Sequence, residues 1–402
     1  MNATCQIHQI YKIYWGINYR RLRPTRATAS RWPLEVADAQ SRQPDQADTK
    51  GWRLVGISSN YSVPSFDCSL GALVSDNISK SFCVLPWIHM NLNPDGAATL
   101  CCQSHQAIHD DQGHRLSAQT HSLQEIWNSS GMKDIRMRMA AGEQLPHCSA
   151  CFQNESFGRD SYRTHSNERW LTAHPRGPGL REAIERSPDG IAPQSPMYFD
   201  LRLGNICNLK CTVCKPLYSS QIEHDPVHSK WIVDAPYVRL TKRFEDEGEW
   251  FEADAMLDEI VSLADNLSLI QLAGGEPTIN KTQIAFLQKL CATGQAPNID
   301  LEVVTNLSNV RPQVFEIFAQ FKSLNITLSI DGSHQTYEYV RFPGKWASLV
   351  KNIGVLRDSR PGVRLAINAV LQALNAYNVE AELVATANYP RPNMNPLPRS
   401  EQ

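Results

Sequence analysis

Leu203-Gly204-Asn205-Ile206-Cys207-Asn208-Leu209-Lys210-Cys211-Thr212-Val213-Cys214 is the stretch whose reading decides the fold. Its cysteines follow the spacing C-x3-C-x2-C, which lets one short loop wrap a metal cluster with the thiolates converging. Three is the informative number. A structural zinc site closes with four protein ligands, and an electron-transfer cluster takes four cysteines. Three leave one metal of a cubane open to a ligand from outside the protein, so the loop reads as a reactive site.

Outward from this loop the chain alternates strand, loop and helix. Strands are expected at 197–203, 267–272, 299–305, 324–330 and 364–371, and helices at 249–264, 281–293, 311–320 and 345–356. This rhythm predicts an α/β fold of parallel strands joined by crossovers. Ligands in such folds collect at the C-terminal ends of the strands. The unusual residues fall there. The cysteine loop follows the first strand and Ala273-Gly274-Gly275-Glu276-Pro277 the second; Thr305-Asn306 close the third, Ser329-Ile330-Asp331-Gly332 the fourth, and Asn368 and Leu371 the fifth.

The loop resembles the signature of the radical S-adenosylmethionine (radical SAM) superfamily, and 273–277 resembles that family's GGEP element. The resemblance spans about 197–386. It implies a partial (β/α)6 TIM-like barrel in which Cys207, Cys211 and Cys214 hold a 4Fe–4S cluster. The amino and carboxylate groups of S-adenosylmethionine would chelate the fourth iron, and reduction would release a 5′-deoxyadenosyl radical. It further implies cofactor contacts from Gly274, Gly275, Glu276 and Pro277, with Glu276 accepting from the methionyl ammonium. Thr305, Asn306 and Ser329 would face the nucleoside and methionine, Arg341 would neutralise the methionyl carboxylate through its planar fork, and Leu371 would lie near the adenine. Val213 departs from the family, which carries an aromatic residue there; an apolar wall survives this change and a stacking contact does not. Five βα units are readable where the family barrel has six. The sequence 388–392 (NYPRP) cannot be a central strand. Either the chain stops short of the sixth strand, or an N-terminal element closes the gap.

A second set of cysteines precedes the barrel, in 81–155. Trp87–Leu92 and Ala97–Cys101 flank Asn93-Pro94-Asp95-Gly96, a β-hairpin pattern. Ser122-Leu123-Gln124-Glu125 opens a helix with a capping box, running on to Met139. Cys83, Cys101, Cys148 and Cys151 make a complete four-thiolate set, fit for zinc or for an iron–sulfur cluster. Cys102 points away if Cys101 points in, because side chains alternate on a strand. The spacing resembles the Twitch domain, the shortened relative of SPASM, and so implies one auxiliary 4Fe–4S cluster on these four cysteines. The expected organisation is a poorly ordered extension over 1–80, this Twitch-like domain over 81–155, a linker over 156–195, the barrel over 196–387 and a proline-rich tail over 388–402.

Composition narrows the function classes. With 402 residues, 42% apolar and 20% charged, the chain is globular, and 39 basic against 41 acidic side chains argue against a phosphate-neutralising nucleic-acid surface. No apolar run approaches the roughly 20 residues of a membrane helix. Eleven cysteines behind a start without a secretory pattern suit a reducing, cytoplasmic setting, where clustered thiols bind metals. Cys5, Cys68, Cys102 and Cys291 are the remainder. The resemblance implies an oxidoreductase-like radical enzyme acting on a peptide or protein, fed by an external electron donor such as flavodoxin or ferredoxin. The competing reading is a non-catalytic iron–sulfur or zinc-binding scaffold.

Overall fold

The strands read around the cysteine loop share one eight-stranded sheet. In this computed structural model, residues 10–13 and 79–378 are described, apart from 105, 228–249, 252–254, 310, 361 and 377. The strands are β1 (Ile10–Ile13), β2 (His89–Leu92), β3 (Ala98–Thr99), β4 (Tyr198–Leu201), β5 (Leu269–Leu272), β6 (Asp300–Thr305), β7 (Ser323–Ser329) and β8 (Arg364–Val370). Their order is β1-β8-β7-β6-β5-β4-β2-β3. The five expected barrel strands, β4 to β8, are parallel neighbours in sequence order.

The missing parallel strand comes from the cysteine-rich hairpin. β2 pairs parallel with β4, from His89 opposite Tyr198 to Leu92 opposite Leu201, while β3 pairs antiparallel with β2. Six strands are therefore parallel, and an N-terminal element supplies the sixth on the β4 side rather than after β8. The hairpin and the five later strands share one sheet. Part of the stretch expected to be poorly ordered also joins the sheet: β1 pairs antiparallel with β8. The rest of 1–78 and the tail 388–402 lie outside the described residues.

Alternation gives the sheet two unlike faces. Phe199, Leu201, Ile270, Leu272, Leu301, Val303, Ile326 and Leu328 form one core with the helical Leu257, Phe286, Leu290, Phe318 and Leu356. The opposite face carries a polar row in register: Asn91, Asp200, Gln271, Glu302 and Asn325. Asp200, Gln271 and Asn91 are buried, so they require partners there.

Several helices follow the sequence with local adjustments. The capping box at Ser122 and Glu125 is present, but the helix it opens ends at Trp127, and a second runs from Ser130 to Ala140 with Ser129 as its N-cap. Asn128-Ser129 offers the backbone side-chain acceptors that compete with continuation. Arg136 of that second helix is fully buried and donates to the carbonyls of Pro86, Trp127 and Gly190 and to Asn128 Oδ1.

The segment 156–195 is not a linker. A helix (Tyr162–Asn167), a π-helical turn (Glu168–Ala173) and another helix (Gly177–Glu185) pack Trp170, Leu171 and Leu180 into the core. Trp170 stacks on Tyr198 at 5.9 Å, and Arg169 pairs with Glu302 of β6 at 2.8 Å. Its charge and proline content describe the outer surface and hide three apolar anchors.

Because β2 is integral to the sheet, residues 196–378 expressed alone expose the apolar edge of β4. They are expected to aggregate, whereas 79–378 stays soluble and cooperatively folded. Size-exclusion chromatography with circular dichroism distinguishes the two.

Candidate active site

The cysteine loop leaves β4 and is held by backbone on both sides. Lys210 N donates to Phe342 O at 2.6 Å and Thr212 N to Val340 O at 2.8 Å. Cys207 N donates to Ser220 Oγ at 3.2 Å, and Asn208 Nδ2 to Ser308 Oγ at 2.7 Å. Cys211 is buried and Cys207 and Cys214 are half-buried. Burial pushes the Cys207 thiol up to about 11 and Cys214 up to about 12. Burial also raises Cys211, opposed by the neighbouring Arg341, whose Nη1 lies 3.7 Å from the sulfur. Thiols so held are protonated at neutral pH and lose their protons on ligating a metal.

Gly274 and Gly275 bring the end of β5 against this loop. Both adopt positive φ, +74° and +55°, where a side chain is strained. A Cβ on Gly275 would lie 2.3 Å from Ile206 O, and one on Gly274 would lie 2.8 Å from Arg202 Cβ. Glu276 N donates to Ile206 O at 2.7 Å. No other residue type fits this double approach.

The Glu276 carboxylate is 1% exposed and saturated more fully than expected. Oε1 accepts from Thr278 N, Thr278 Oγ1 and Thr305 Oγ1, and Oε2 from Asn306 N at 2.7 Å. Burial still raises its pKa. Glu276 therefore clamps the end of β6 to the β5 loop, and only Oε2, with a single donor, retains ready capacity for an ammonium. Thr305 and Asn306 are buried in the same cluster, with Asn306 Nδ2 4.0 Å from Cys207 Sγ. Pro277 is buried beside them.

Arg341 is buried, so it is no surface salt bridge. Its Nη2 lies 2.8 Å from buried Asp331 Oδ2, a charge contact without hydrogen-bond alignment, and its Nε has no hydrogen-bond partner among the described residues. A buried donor left open beside the cysteine loop fits an incoming carboxylate. Ser329 ends β7 opposite Asn368, and Leu371, 43% exposed, lies just past β8.

The four other cysteines line one cavity: Cys83, Cys101, Cys148 and Cys151, together with His147, Tyr162 and Arg163. Cys102 is not in that lining; both it and Cys101 lie past the end of β3, so strand alternation is not the reason. Burial raises all four thiols, Cys148 to about 11 and Cys83 and Cys101 well above the ordinary thiol value. Among the described residues no group of three or more His, Cys, Asp or Glu is gathered tightly enough to hold a single ion. Both donor sets nevertheless have the chemistry of iron–sulfur ligation: thiolates only, three in one set and four in the other.

Reading by motif missed Asp331 and Arg202. Asp331 was visible as part of the strand-end sequence, but its pairing with Arg341 spans a helix that periodicity does not place. Arg202 carried no signal beyond its position before the cysteine loop.

Residues 201–371 match the Radical SAM superfamily, and residues 83–152 match SPASM, an iron–sulfur cluster-binding domain. No curated protein matches the chain. Solved structures overlap it in part. anSMEcpe with bound AdoMet is 15% identical with a TM-score of 0.30, covering 42% of this chain and 43% of that one. Streptococcus suis SuiB is 14% identical with a TM-score of 0.31, covering 72% and 55%. SuiB bound to precursor peptide SuiA is 13% identical with a TM-score of 0.27, covering 55% and 45%. The chain thus spans about two-fifths to just over half the length of these structures. Two stretches of the chain resemble known domains, one of the radical SAM kind and one of the iron–sulfur cluster-binding kind. Among the described residues no helix is long and apolar enough to cross a membrane.

Two outcomes test this geometry. Gly275→Ala drives a methyl into Ile206 O, so the variant is expected to lose S-adenosylmethionine binding at least tenfold while the four-cysteine site still fills; equilibrium binding and iron analysis read this. Because the thiols are raised, iron retained against a fixed chelator concentration is expected to rise as pH increases from about 7 to 9, the direction set by proton release on ligation.

Proposed function

We propose that the chain cleaves S-adenosylmethionine reductively and uses the resulting radical to take a hydrogen atom from a peptide or protein substrate. The observation that carries this reading is the C-x3-C-x2-C loop after β4, with the Gly274–Glu276 loop packed against it after β5 and Arg341, its Nε open, beside Cys211. When bound, the cluster and S-adenosylmethionine supply one-electron cleavage of the sulfonium to a 5′-deoxyadenosyl radical.

The protein's own residues bind and orient. Cys207, Cys211 and Cys214 would hold the cluster through three thiolates, leaving one iron for the methionyl group. Arg341 receives the carboxylate through Nε, its charge already balanced by Asp331. Glu276 accepts the ammonium at Oε2 while fixing the ends of β5 and β6. The Gly274–Gly275 backbone would lie against the methionine, Thr305, Asn306 and Ser329 would face the nucleoside, and Leu371 would lie near the adenine. Val213 offers the adenine an apolar contact in place of a ring.

The second cysteine set serves one auxiliary 4Fe–4S cluster, in the Twitch manner, on Cys83, Cys101, Cys148 and Cys151. No further cysteine follows Cys151 before the radical SAM loop, which supports one auxiliary cluster over two. This cluster would bind substrate or accept the electron returned by the product radical. A peptide or protein substrate is assigned by resemblance to other proteins that pair these two domains, and electrons would come from a flavodoxin- or ferredoxin-type donor in the cytoplasm.

Anaerobically reconstituted protein is expected to show iron–sulfur absorbance and, with dithionite, to convert S-adenosylmethionine to 5′-deoxyadenosine and methionine. Cys211→Ala is expected to abolish cleavage and lower bound iron by about half, from two cubane clusters to one. Zinc in both sites without iron, or full clusters that leave S-adenosylmethionine intact, would favour the scaffold instead.

A further inference from the structure

Arg202 stands where the two cysteine sites meet. Its aliphatic stem is the surface that Gly274 packs on, with Cβ and Cγ only 2.8 and 3.1 Å from where a Gly274 Cβ would lie. Its guanidinium reaches the other way, into the hairpin. Nη1 donates to Asn91 Oδ1 at 2.6 Å and to Asn93 Oδ1 at 3.2 Å, and Nη2 to Asp200 Oδ2 at 3.1 Å.

From Arg202 two hydrogen-bonded paths lead to the four-cysteine cavity. In the first, Asn91 Nδ2 donates to Thr99 Oγ1 at 2.6 Å, and Thr99 Oγ1 donates to the carbonyl of Cys101 at 3.3 Å. Each polar atom has one direction available, so the orientations of Asn91 and Thr99 are fixed by their neighbours. In the second, Asp200 Oδ2 accepts from Gln271 Nε2 at 3.4 Å and Gln271 Oε1 accepts from Tyr198 OH at 2.7 Å. Tyr198 OH lies 3.0 Å from Tyr162 OH, and Tyr162 lines the cavity. Asn91, Asp200, Gln271 and Tyr198 are all at most 5% exposed. A buried hydrogen-bonded network of this kind favours one arrangement of the groups it joins.

We propose that Arg202 is a positioning residue that couples the sites, so that filling the four-cysteine site tightens S-adenosylmethionine binding at the Gly274–Glu276 loop. This rests on the function proposed above. Fixing Cys101 as a ligand fixes its carbonyl, and with it Thr99, Asn91 and the guanidinium, whose stem is the wall behind Gly274. Without a ligated cluster Cys101 and Tyr162 are held less firmly at the cavity, and the loop loses part of its backing. Coupling of this type shows as a change in affinity at one site with occupancy of the other, and a chain of contacts becomes evidence for it only when cutting the chain removes the effect.

The test uses the full chain, reconstituted anaerobically, with S-adenosylmethionine as the probe. Its dissociation constant is read by equilibrium dialysis, and its seating by the change it makes in the EPR line shape of the reduced Cys207/Cys211/Cys214 cluster. Cys148→Ala/Cys151→Ala, which empties the auxiliary site, is expected to weaken binding fivefold or more, within the range of about 5–150-fold usual for coupled sites. Thr99→Val/Tyr198→Phe cuts both paths and leaves Arg202 in place; in that background the same emptying is expected to change affinity less than twofold. Arg202→Met is expected to weaken binding with both clusters filled and to make emptying ineffective. Unchanged affinity in the emptied variant, or a loss that persists in full with both paths cut, overturns the coupling. A parent protein that binds no S-adenosylmethionine overturns the function itself, and the coupling with it.

Discussion

The parallel ladder between β2 and β4 is the constraint on which the other features rest. It sets the hairpin that carries Cys101 beside the strand that launches Cys207, Cys211 and Cys214. Its register places Asn91 opposite Asp200, which puts Asn91 within reach of Arg202. Parallel pairing needs a long crossover, and here the crossover is the whole of 93–197, including the segment 162–185 that packs on the sheet. Moving the register by one residue would send Asn91 and His89 into the apolar core and Met90 onto the polar face.

That polar face is expensive to bury, and much of it is hydrogen-bonded. Asp200 and Arg202 bury opposite charges side by side, and removing one partner of such a pair typically costs about 3–5 kcal/mol. His89 is held neutral, burial pushing it down to about 3, with its Nδ1 on the Leu100 carbonyl. The polar row is built mainly of amides and paired charges, Asp200 with Arg202 and Glu302 with Arg169.

The Gly274–Glu276 loop shows how backbone and side chain divide a task. The two glycines allow the approach to Ile206 and Arg202, and Glu276 then ties that approach to β6 through Thr305 and Asn306. The carboxylate expected to serve a ligand is thus first a structural clamp. Arg341 follows the same logic: Asp331 holds it, and the atom left open is the one suited to a carboxylate.

The sequence by itself determined the elements whose signal is local. The C-x3-C-x2-C loop, the glycine pair and the five strands with their intervening helices are written in short-range spacing and periodicity, and the structure has them where that spacing predicts. The four cysteines Cys83, Cys101, Cys148 and Cys151 were legible as a set, and the tertiary fold brings them about one cavity. Tertiary structure alone decided the sixth parallel strand, the burial of 162–185 against the sheet, and the place of Arg202 between the two cysteine sites. These depend on pairings across roughly a hundred residues, and no local pattern records which distant strand will lie beside which.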